Sequence, residues 1–370
     1  MIKINKKEFI TAVSSISEIL ELKSTMPLIT QIKVSYNTAN KILALQATDL
    51  KTYKTAYVHD VDCDHDCSFM LDTKIIKMLK ANKKDGSITF DILGNKITLK
   101  YENKEYTYTS MCVDNYPQEP RNKGISELKF NLVEFNNKLS KVAPVQAKDD
   151  TRYFLNGTCF DYSQNNLSLV ATDGHRMHLT NLFCESAYND FKIIIPKKAI
   201  NDIVKIKAAP QDSLYLICED AYTTIYIIDK KGIIIYRYNI ENIAERYTDY
   251  LRVVPKNANH KIIMDKKELL QELTDLKPFV NAKYKGVRLN ISANNMAITA
   301  TSSDGFIMKT TIIINNIDNI EIEICFNVDY LIHILKILEN ETIDLFLDNP
   351  HMSGMFQESD SKYIVMPMKI

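Results

Sequence analysis

Three stretches of the chain repeat one layout, and this limits the available folds more than any other feature. The first reads KVSYNTANKILALQATDLKTYKTAYV, the second LNGTCFDYSQNNLSLVATDGHRMHLTNL and the third GVRLNISANNMAITATSSDGFIMKTTIII. Each is a strand, a polar turn containing Asn, a second strand, then Ala-Thr and an Asp. The turns at Asn37–Asn40, Ser163–Asn166 and Ser292–Asn295 sit at matching places, and alternating apolar residues on both sides signal a hairpin. Ala47 and Ala171 are 124 residues apart, and Ala171 and Ala300 are 129 apart, which is the spacing of whole domains and not of a solenoid.

The flanks repeat as well. Upstream of each hairpin, apolar residues recur at three- and four-residue spacing: Phe9, Val13, Ile16, Leu20; Phe135, Leu139, Val142; Leu269, Leu273, Leu276. Each set predicts a helix with one apolar stripe. Downstream, FMLDTKIIKMLKA, FKIIIPKKAINDIVKI and EICFNVDYLIHILKIL each read as a strand followed by a second helix, and further strands close each copy. One of these closing stretches turns at Gly94-Asn95. The expected architecture is α+β: three tandem copies of a unit with two helices on an antiparallel sheet. Pro and polar residues place boundaries near 117–123 and 255–260, giving domains 1–121, 127–254 and 260–370.

The 370 residues suit two or three such domains. Lys plus Arg and Asp plus Glu both number 46, so any surface for nucleic acid must come from uneven placement of charge. No apolar run reaches membrane-spanning length, and MIKINKKEF has no apolar stretch after its lysines, so neither a span nor a signal peptide is expected. Seven cysteines, an odd number in a long chain, fit free thiols in the cytoplasm.

In this order and at these spacings, RYFLNG (152–157), ATDGHRM (171–177), KYKGVRL (283–289) and the terminal YIVMPMKI (363–370) resemble the bacterial DNA sliding clamp, the β subunit of the replicative DNA polymerase III holoenzyme. The resemblance covers the whole chain. It implies a DNA polymerase processivity factor with no catalytic residues and no cofactor or metal. It further implies a head-to-tail homodimer forming a ring, helices inside, around duplex DNA. Partners bearing short linear peptides (replicative polymerase, clamp loader, repair polymerases) would dock between domains two and three. Carried over position by position, that groove comprises Leu155, Thr172, Gly174, His175, Arg176, Met177, Arg252, Val253, Ile364, Val365, Met366, Pro367 and Met368, with Pro350 and Met352 beside it. The DNA-facing set is Lys23, Lys74, Lys77, Lys80, Lys198, Lys205, Arg152 and Tyr153, and the helix expected over 73–84 adds Lys83 and Lys84. Tyr106 and Tyr108 are expected to meet the segment around Phe279 and Val280 across the dimer interface. Two positions depart from the family: Thr248 replaces a proline at the groove's edge, and Asp149 replaces a polar residue that touches DNA.

The residues alone also allow a different class of function, a metal-dependent or hydrolytic enzyme. Asp173 and His175 could belong to a hydrolase or metal site, and CDHDC (63–67) could bind zinc. No serine elbow, second His cluster or second Cys pair accompanies them, and no Gly-rich P-loop is present, so a structural turn and an exposed loop are the expected readings.

Overall fold

The start of each repeat is written into its sequence. A short strand runs straight into a helix, and the junction residue is Asn5, Asn131 or Asp265, whose side chain accepts a backbone N–H of the first helical turn. Asp72 and Asn327 cap two of the second helices in the same way. The computed structural model describes residues 1–120, 127–184, 189–255 and 260–369.

The first repeat comprises β1 (Ile2–Asn5), α1 (Lys6–Ile16), β2 (Ile32–Asn37), β3 (Ile42–Thr48), β4 (Thr52–Val58), β5 (Cys67–Leu71), α2 (Thr73–Ala81), β6 (Ser87–Leu93), β7 (Lys96–Tyr101) and β8 (Lys104–Thr109). The second comprises β9 (Glu127–Asn131), α3 (Leu132–Val142), β10 (Gly157–Ser163), β11 (Asn166–Thr172), β12 (Arg176–Phe183), β13 (Phe191–Pro196), α4 (Lys197–Ile203), β14 (Ser213–Cys218), β15 (Tyr222–Ile228) and β16 (Ile234–Glu241). The third comprises β17 (His260–Asp265), α5 (Lys266–Leu276), β18 (Gly286–Ser292), β19 (Asn295–Thr301), β20 (Ile307–Ile313), β21 (Asn315–Asn316), β22 (Ile322–Asn327), α6 (Val328–Ile337), β23 (Thr342–Leu347), β24 (Gly354–Glu358) and β25 (Ser361–Val365).

The three expected hairpins form at the expected turns, and Gly94 turns the β6–β7 hairpin at φ +63°. The apolar stripes Phe9-Val13-Ile16, Phe135-Leu139-Val142 and Leu269-Leu273-Leu276 are all buried. Two expectations need correction. α2 ends at Ala81, so Lys83 and Lys84 follow the helix, and α1 ends at Ile16, so Leu20 is buried from a loop.

Sheet topology joins the repeats. One eight-stranded sheet runs β5-β2-β3-β4-β16-β15-β14-β9, and one nine-stranded sheet runs β13-β10-β11-β12-β25-β24-β23-β17-β21. The first fuses half of repeat one to half of repeat two, and the second fuses the other half of repeat two to half of repeat three. Two compact units result: Met1–Asn136 with Cys184–Asn189 and Lys198–Ala244, and Asn137–Phe183 with Asp190–Lys197 and Glu245–Ile370. Both cut through the second repeat, because a continuous ladder binds neighbouring repeats as firmly as a repeat binds itself. The boundaries expected near 117–123 and 255–260 fall partly outside the described residues, as does Ile370. Two four-stranded sheets remain, β1-β6-β7-β8 and β20-β19-β18-β22.

Candidate functional site

The joint between the second and third repeats is an antiparallel ladder of β12 and β25, with Arg176 opposite Val365 and Met177 opposite Ile364. Beyond β25 the tail stays attached: Met366 N–H donates to the His175 carbonyl (2.9 Å) and Met368 N–H to the Cys325 carbonyl (2.8 Å). The turn that receives it is built by its own side chains. Thr172 Oγ1 accepts Gly174 N–H (3.0 Å) and donates to the Arg176 carbonyl (2.7 Å). Asp173 accepts the His175 and Arg176 N–H groups and Arg176 Nε, all at 3.0 Å. Gly174 has φ +88°, a conformation glycine adopts without strain, and an added Cβ would lie 3.0 Å from Arg152 Nη2, close enough that this side chain would have to shift. Arg152 is itself held by two bonds to Asp150, both 3.0 Å, and this guanidinium holds the Asp150 carboxyl down at about 2. Arg176 reaches the Pro144 carbonyl (3.2 Å) and lies 4.6 Å over the Tyr330 ring.

The expected groove residues divide by exposure. Leu155, Met177, Ile364 and Val365 are buried within the protein. Gly174, His175, Arg252, Val253 and Met366 are exposed, while Thr172, Arg176, Pro367 and Met368 are half-buried. Arg252 is ion-paired to Asp249 at 2.9 Å. Ser353 connects the Val253 segment to the ladder: its hydroxyl donates to the Val253 carbonyl (3.4 Å), while its neighbour Gly354 pairs with Val365. The open apolar surface of this joint is therefore Val253, Met366, Met352 (50% exposed) and Leu251 (56% exposed). Sequence reasoning missed Leu251, although an apolar residue beside Arg252 in a short 3-10 turn was a usable signal.

Two models of one protein family match the chain: the central domain of the DNA polymerase III beta subunit over residues 129–234 and its C-terminal domain over residues 251–369. The beta sliding clamp of Pseudomonas putida is 22% identical over 372 residues, and that of Buchnera aphidicola 25% identical over 371, each alignment covering 99% of both chains. A crystal structure of a Pseudomonas aeruginosa sliding clamp bound to griselimycin superposes with a TM-score of 0.92 at 20% identity, covering 100% of this chain and 99% of that one.

The chain belongs to the DNA polymerase III beta subunit family.

For a sliding clamp of this family, the positions expected to face DNA fall into two classes. Lys74, Lys77 and Lys80 project from one exposed face of α2, and Lys23 stands in an exposed loop; none has an ion pair among the described residues. Tyr153 is 64% exposed. By contrast, Lys198 is paired with Asp49 (2.6 Å) and Glu21 (3.6 Å), Lys205 with Glu18 (2.5 Å) and Arg152 with Asp150. Their charge is compensated within the protein, which the spacing of lysines along the chain could not reveal. Lys84 lies 3.7 Å from Glu102.

The expected interface positions are also refined. β8 is an edge strand, but Tyr106 and Tyr108 point toward the core of the first unit, and the Tyr108 hydroxyl donates to the Met70 carbonyl (3.0 Å). Val280 packs on the third-repeat core, and Phe279 is 39% exposed. β20, an edge strand of the third repeat, is not among the expected interface positions. Its outer face bears Ile307 (70% exposed) and Ile313 (75%), with Phe306 (66%) just before it.

Asp173 accepts three hydrogen bonds from its own turn, two at Oδ1 and one at Oδ2, which gives it a structural role there. In the 63–67 loop, the Cys63 thiol donates to the His65 carbonyl (3.4 Å) and Asp66 accepts from Thr38. Among the described residues no group of three His, Cys, Asp or Glu side chains is placed to hold a metal ion, and no helix is long and apolar enough to cross a membrane.

Proposed function

We propose that this chain works as a processivity clamp for a DNA polymerase: a non-catalytic ring subunit, dimeric and closed around duplex DNA. One observation carries the reading. Each repeat offers two kinds of strand edge, and within the chain they are joined twice, β4 with β16 and β12 with β25. Among the described residues one edge of each of these joining kinds is left over, while β1, β5, β9, β13, β21 and β22 are the outer ends of the half-sheets in every repeat. β20 occupies the place of β4 and β12 in the third repeat, and β8 occupies the place of β16 and β25 in the first. Unpaired edges are a liability unless covered, and two copies placed head to tail would form both missing joints, as a closed assembly requires. The interface would centre on the β8 and β20 backbones and the outer apolar residues of β20, with Phe279 at its border.

The domain division 1–121, 127–254 and 260–370 belongs to the same proposal, each repeat being one clamp domain. Duplex DNA would be held without sequence preference by Lys23, Lys74, Lys77 and Lys80, since exposed, uncompensated lysines neutralise phosphates at any register. Partners would dock extended peptides at the second joint. Apolar anchors would sit on Leu251, Val253, Met352 and Met366, above the buried Met177 and Ile364, with polar groups meeting Gly174, His175 and Arg176. The griselimycin-bound relative supports a ligand-binding site on this fold. Light scattering on the purified chain tests the assembly. A dimer that also extends primer synthesis by a cognate polymerase fits the reading, and a strict monomer at micromolar concentration rejects it.

A further inference from the structure

The two joints within the chain carry different chemistry at matching positions. Lys54 on β4 faces Tyr238 on β16, and His178 on β12 faces Tyr363 on β25. Asp202 and His333 also correspond, each being the sixth residue of its helix, α4 and α6.

In the first joint these groups form a clasp. Lys54 Nζ donates to Asp202 Oδ2 (2.6 Å) and to the Ser15 carbonyl on α1 (2.5 Å), and the Tyr238 hydroxyl donates to the same Asp202 oxygen (2.8 Å). Lys54 and Asp202 are buried, and Tyr238 is fully so. Four elements, α1, β4, α4 and β16, meet through one charged bond network.

In the second joint no equivalent network forms among the described residues. His178 is 1% exposed, and its ring centre lies 4.0 Å from that of Tyr363. Neither imidazole nitrogen of His178 makes a well-formed hydrogen bond, nor does the Tyr363 hydroxyl or His333 Nδ1. The Lys141 backbone lies within weak hydrogen-bonding reach of His178, and the Ser361 hydroxyl within weak reach of Tyr363. The cations nearby are mostly committed elsewhere, Lys141 to Glu339 (2.6 Å) and Arg176 to Asp173 (3.0 Å).

We propose that the β12–β25 ladder is the yielding joint of this chain, opening by local unfolding far more often than the clasped β4–β16 ladder. Separating β25 from β12 lets water reach polar groups that burial leaves unsatisfied, so opening recovers part of the cost of hiding them. Separating β16 from β4 must instead pull Tyr238 away from a buried carboxylate that Lys54 also holds. Met177 and Ile364 lie on the opposite face of the same two strands, so this opening would reshape the floor of the candidate groove. The proposal itself stands on the ladder chemistry and not on the groove.

Hydrogen–deuterium exchange of the full chain, read at peptide level, tests it. Amides of β25 are expected to exchange at least about tenfold faster than those of β16, the factor matching one charged hydrogen bond. Because β25 lies near the chain end, the cause is tested by transplanting the clasp. H178K/H333D is expected to slow β25 exchange about tenfold and leave β16 unchanged. Equal protection of the two strands in the unaltered chain would overturn the proposal, as would a folded H178K/H333D that exchanges like the parent. Should circular dichroism show that this variant does not fold, the reciprocal K54H/D202H decides. It is expected to raise β16 exchange to the rate of β25, and an unchanged β16 rate rejects the idea.

Discussion

The joint between repeats one and two and the joint between repeats two and three share a backbone plan and differ in side chains. In both, a tyrosine after the repeat's last strand donates to a carbonyl of a matching strand: Tyr116 to Gln46 and Tyr247 to Val170, each at 3.4 Å. In both, the chain leaving the ladder is tied to the hairpin turn, Glu241 N–H to the Lys51 carbonyl (2.7 Å) and Met366 N–H to the His175 carbonyl (2.9 Å). The turn residue has positive φ in each, +79° at Leu50 and +88° at Gly174. Where the second joint has Met177 and Ile364, however, the first has Tyr53 and Asn239. Asn239 donates to the Pro120 carbonyl, and Glu119 accepts from Gln46 and Arg237. These bonds pin the segment after β8 across the first joint. At the second, the corresponding segment exposes Leu251 and Val253. The proposed groove would thus belong to one of two equivalent places, the one that carries aliphatic and Met side chains where the other has polar ties, and such side chains suit a plastic binding surface.

The largest expected effect concerns the joint that one chain cannot make. Changing Ile307 and Ile313 together to Asp puts two charges on the outer face of the β20 edge without touching the core-facing Ile312. Charges trapped in a formed interface cost several kcal/mol each, so light scattering should show monomers, with the far-ultraviolet circular dichroism of the parent. Tyr108→Asp would be a poorer probe, because Tyr108 also packs against the core of its own unit and bonds to Met70. A persistent I307D/I313D dimer would move the interface away from β20.

Next in size is the contrast between the two clasp positions. Lys54→Met strands the buried Asp202 carboxylate with Tyr238 as its one side-chain donor among the described residues, which should cost about 3–5 kcal/mol in urea denaturation at neutral pH. His178→Leu removes a ring with no well-formed hydrogen bond and should stay within about 1 kcal/mol of the parent. Acid separates them further. Burial, chiefly, pushes the His178 imidazole down to about 3, whereas an unfolded histidine titrates near ~6.5. Below that value the unfolded chain takes up a proton that the folded chain refuses. Stability should therefore fall by about 1.4 kcal/mol per pH unit as pH drops from roughly 6.5 toward 3. His178→Leu should abolish that part of the slope, and equal slopes in both proteins would show that His178 is not the buried neutral base.

At the proposed groove, a chain ending after Val365 keeps β25 paired and loses Met366, one of the exposed apolar side chains. Losing one buried anchor of ~1.5–3 kcal/mol should weaken binding of a Gln-containing apolar peptide by at least about tenfold. Fluorescence polarisation would measure this, and unchanged affinity would place the partner site elsewhere. The same truncation should leave the dimer intact, because neither β8 nor β20 is altered.

Much of this was legible in the chain. The threefold layout, the hairpin turns and the buried helix stripes follow from periodicity, because each apolar residue must face its own sheet whatever the neighbours do. The turn at 172–176 was legible too, since Thr, Asp and Gly at those spacings bond their own backbone. What periodicity could not show was partnership across long separations. Lys198 reads like Lys74 along the chain, yet Asp49 finds it from another repeat. Ile364 and Met366 read as equals in a short tail, yet pairing buries one and leaves the other 40% exposed.

The smallest effect separates the two classes of lysine. Lys74 and Lys77 have no carboxylate partner among the described residues, whereas Lys198 and Lys205 are paired with Asp49 and Glu18. A phosphate contact from a free lysine releases about 0.9 counterion from duplex DNA. A lysine already neutralised within the protein must first give up its carboxylate, so its net contribution to the salt dependence is smaller. K74A/K77A should reduce the slope of log affinity against log salt by about two units for a nicked circular duplex. K198A/K205A should reduce it by clearly less, and should instead unbalance Asp49 and Glu18, leaving extra negative charge on that surface. If the two pairs of changes lower the slope equally, the ion pairs exchange freely with phosphate, and the division drawn between the two lysine classes does not hold when DNA is bound.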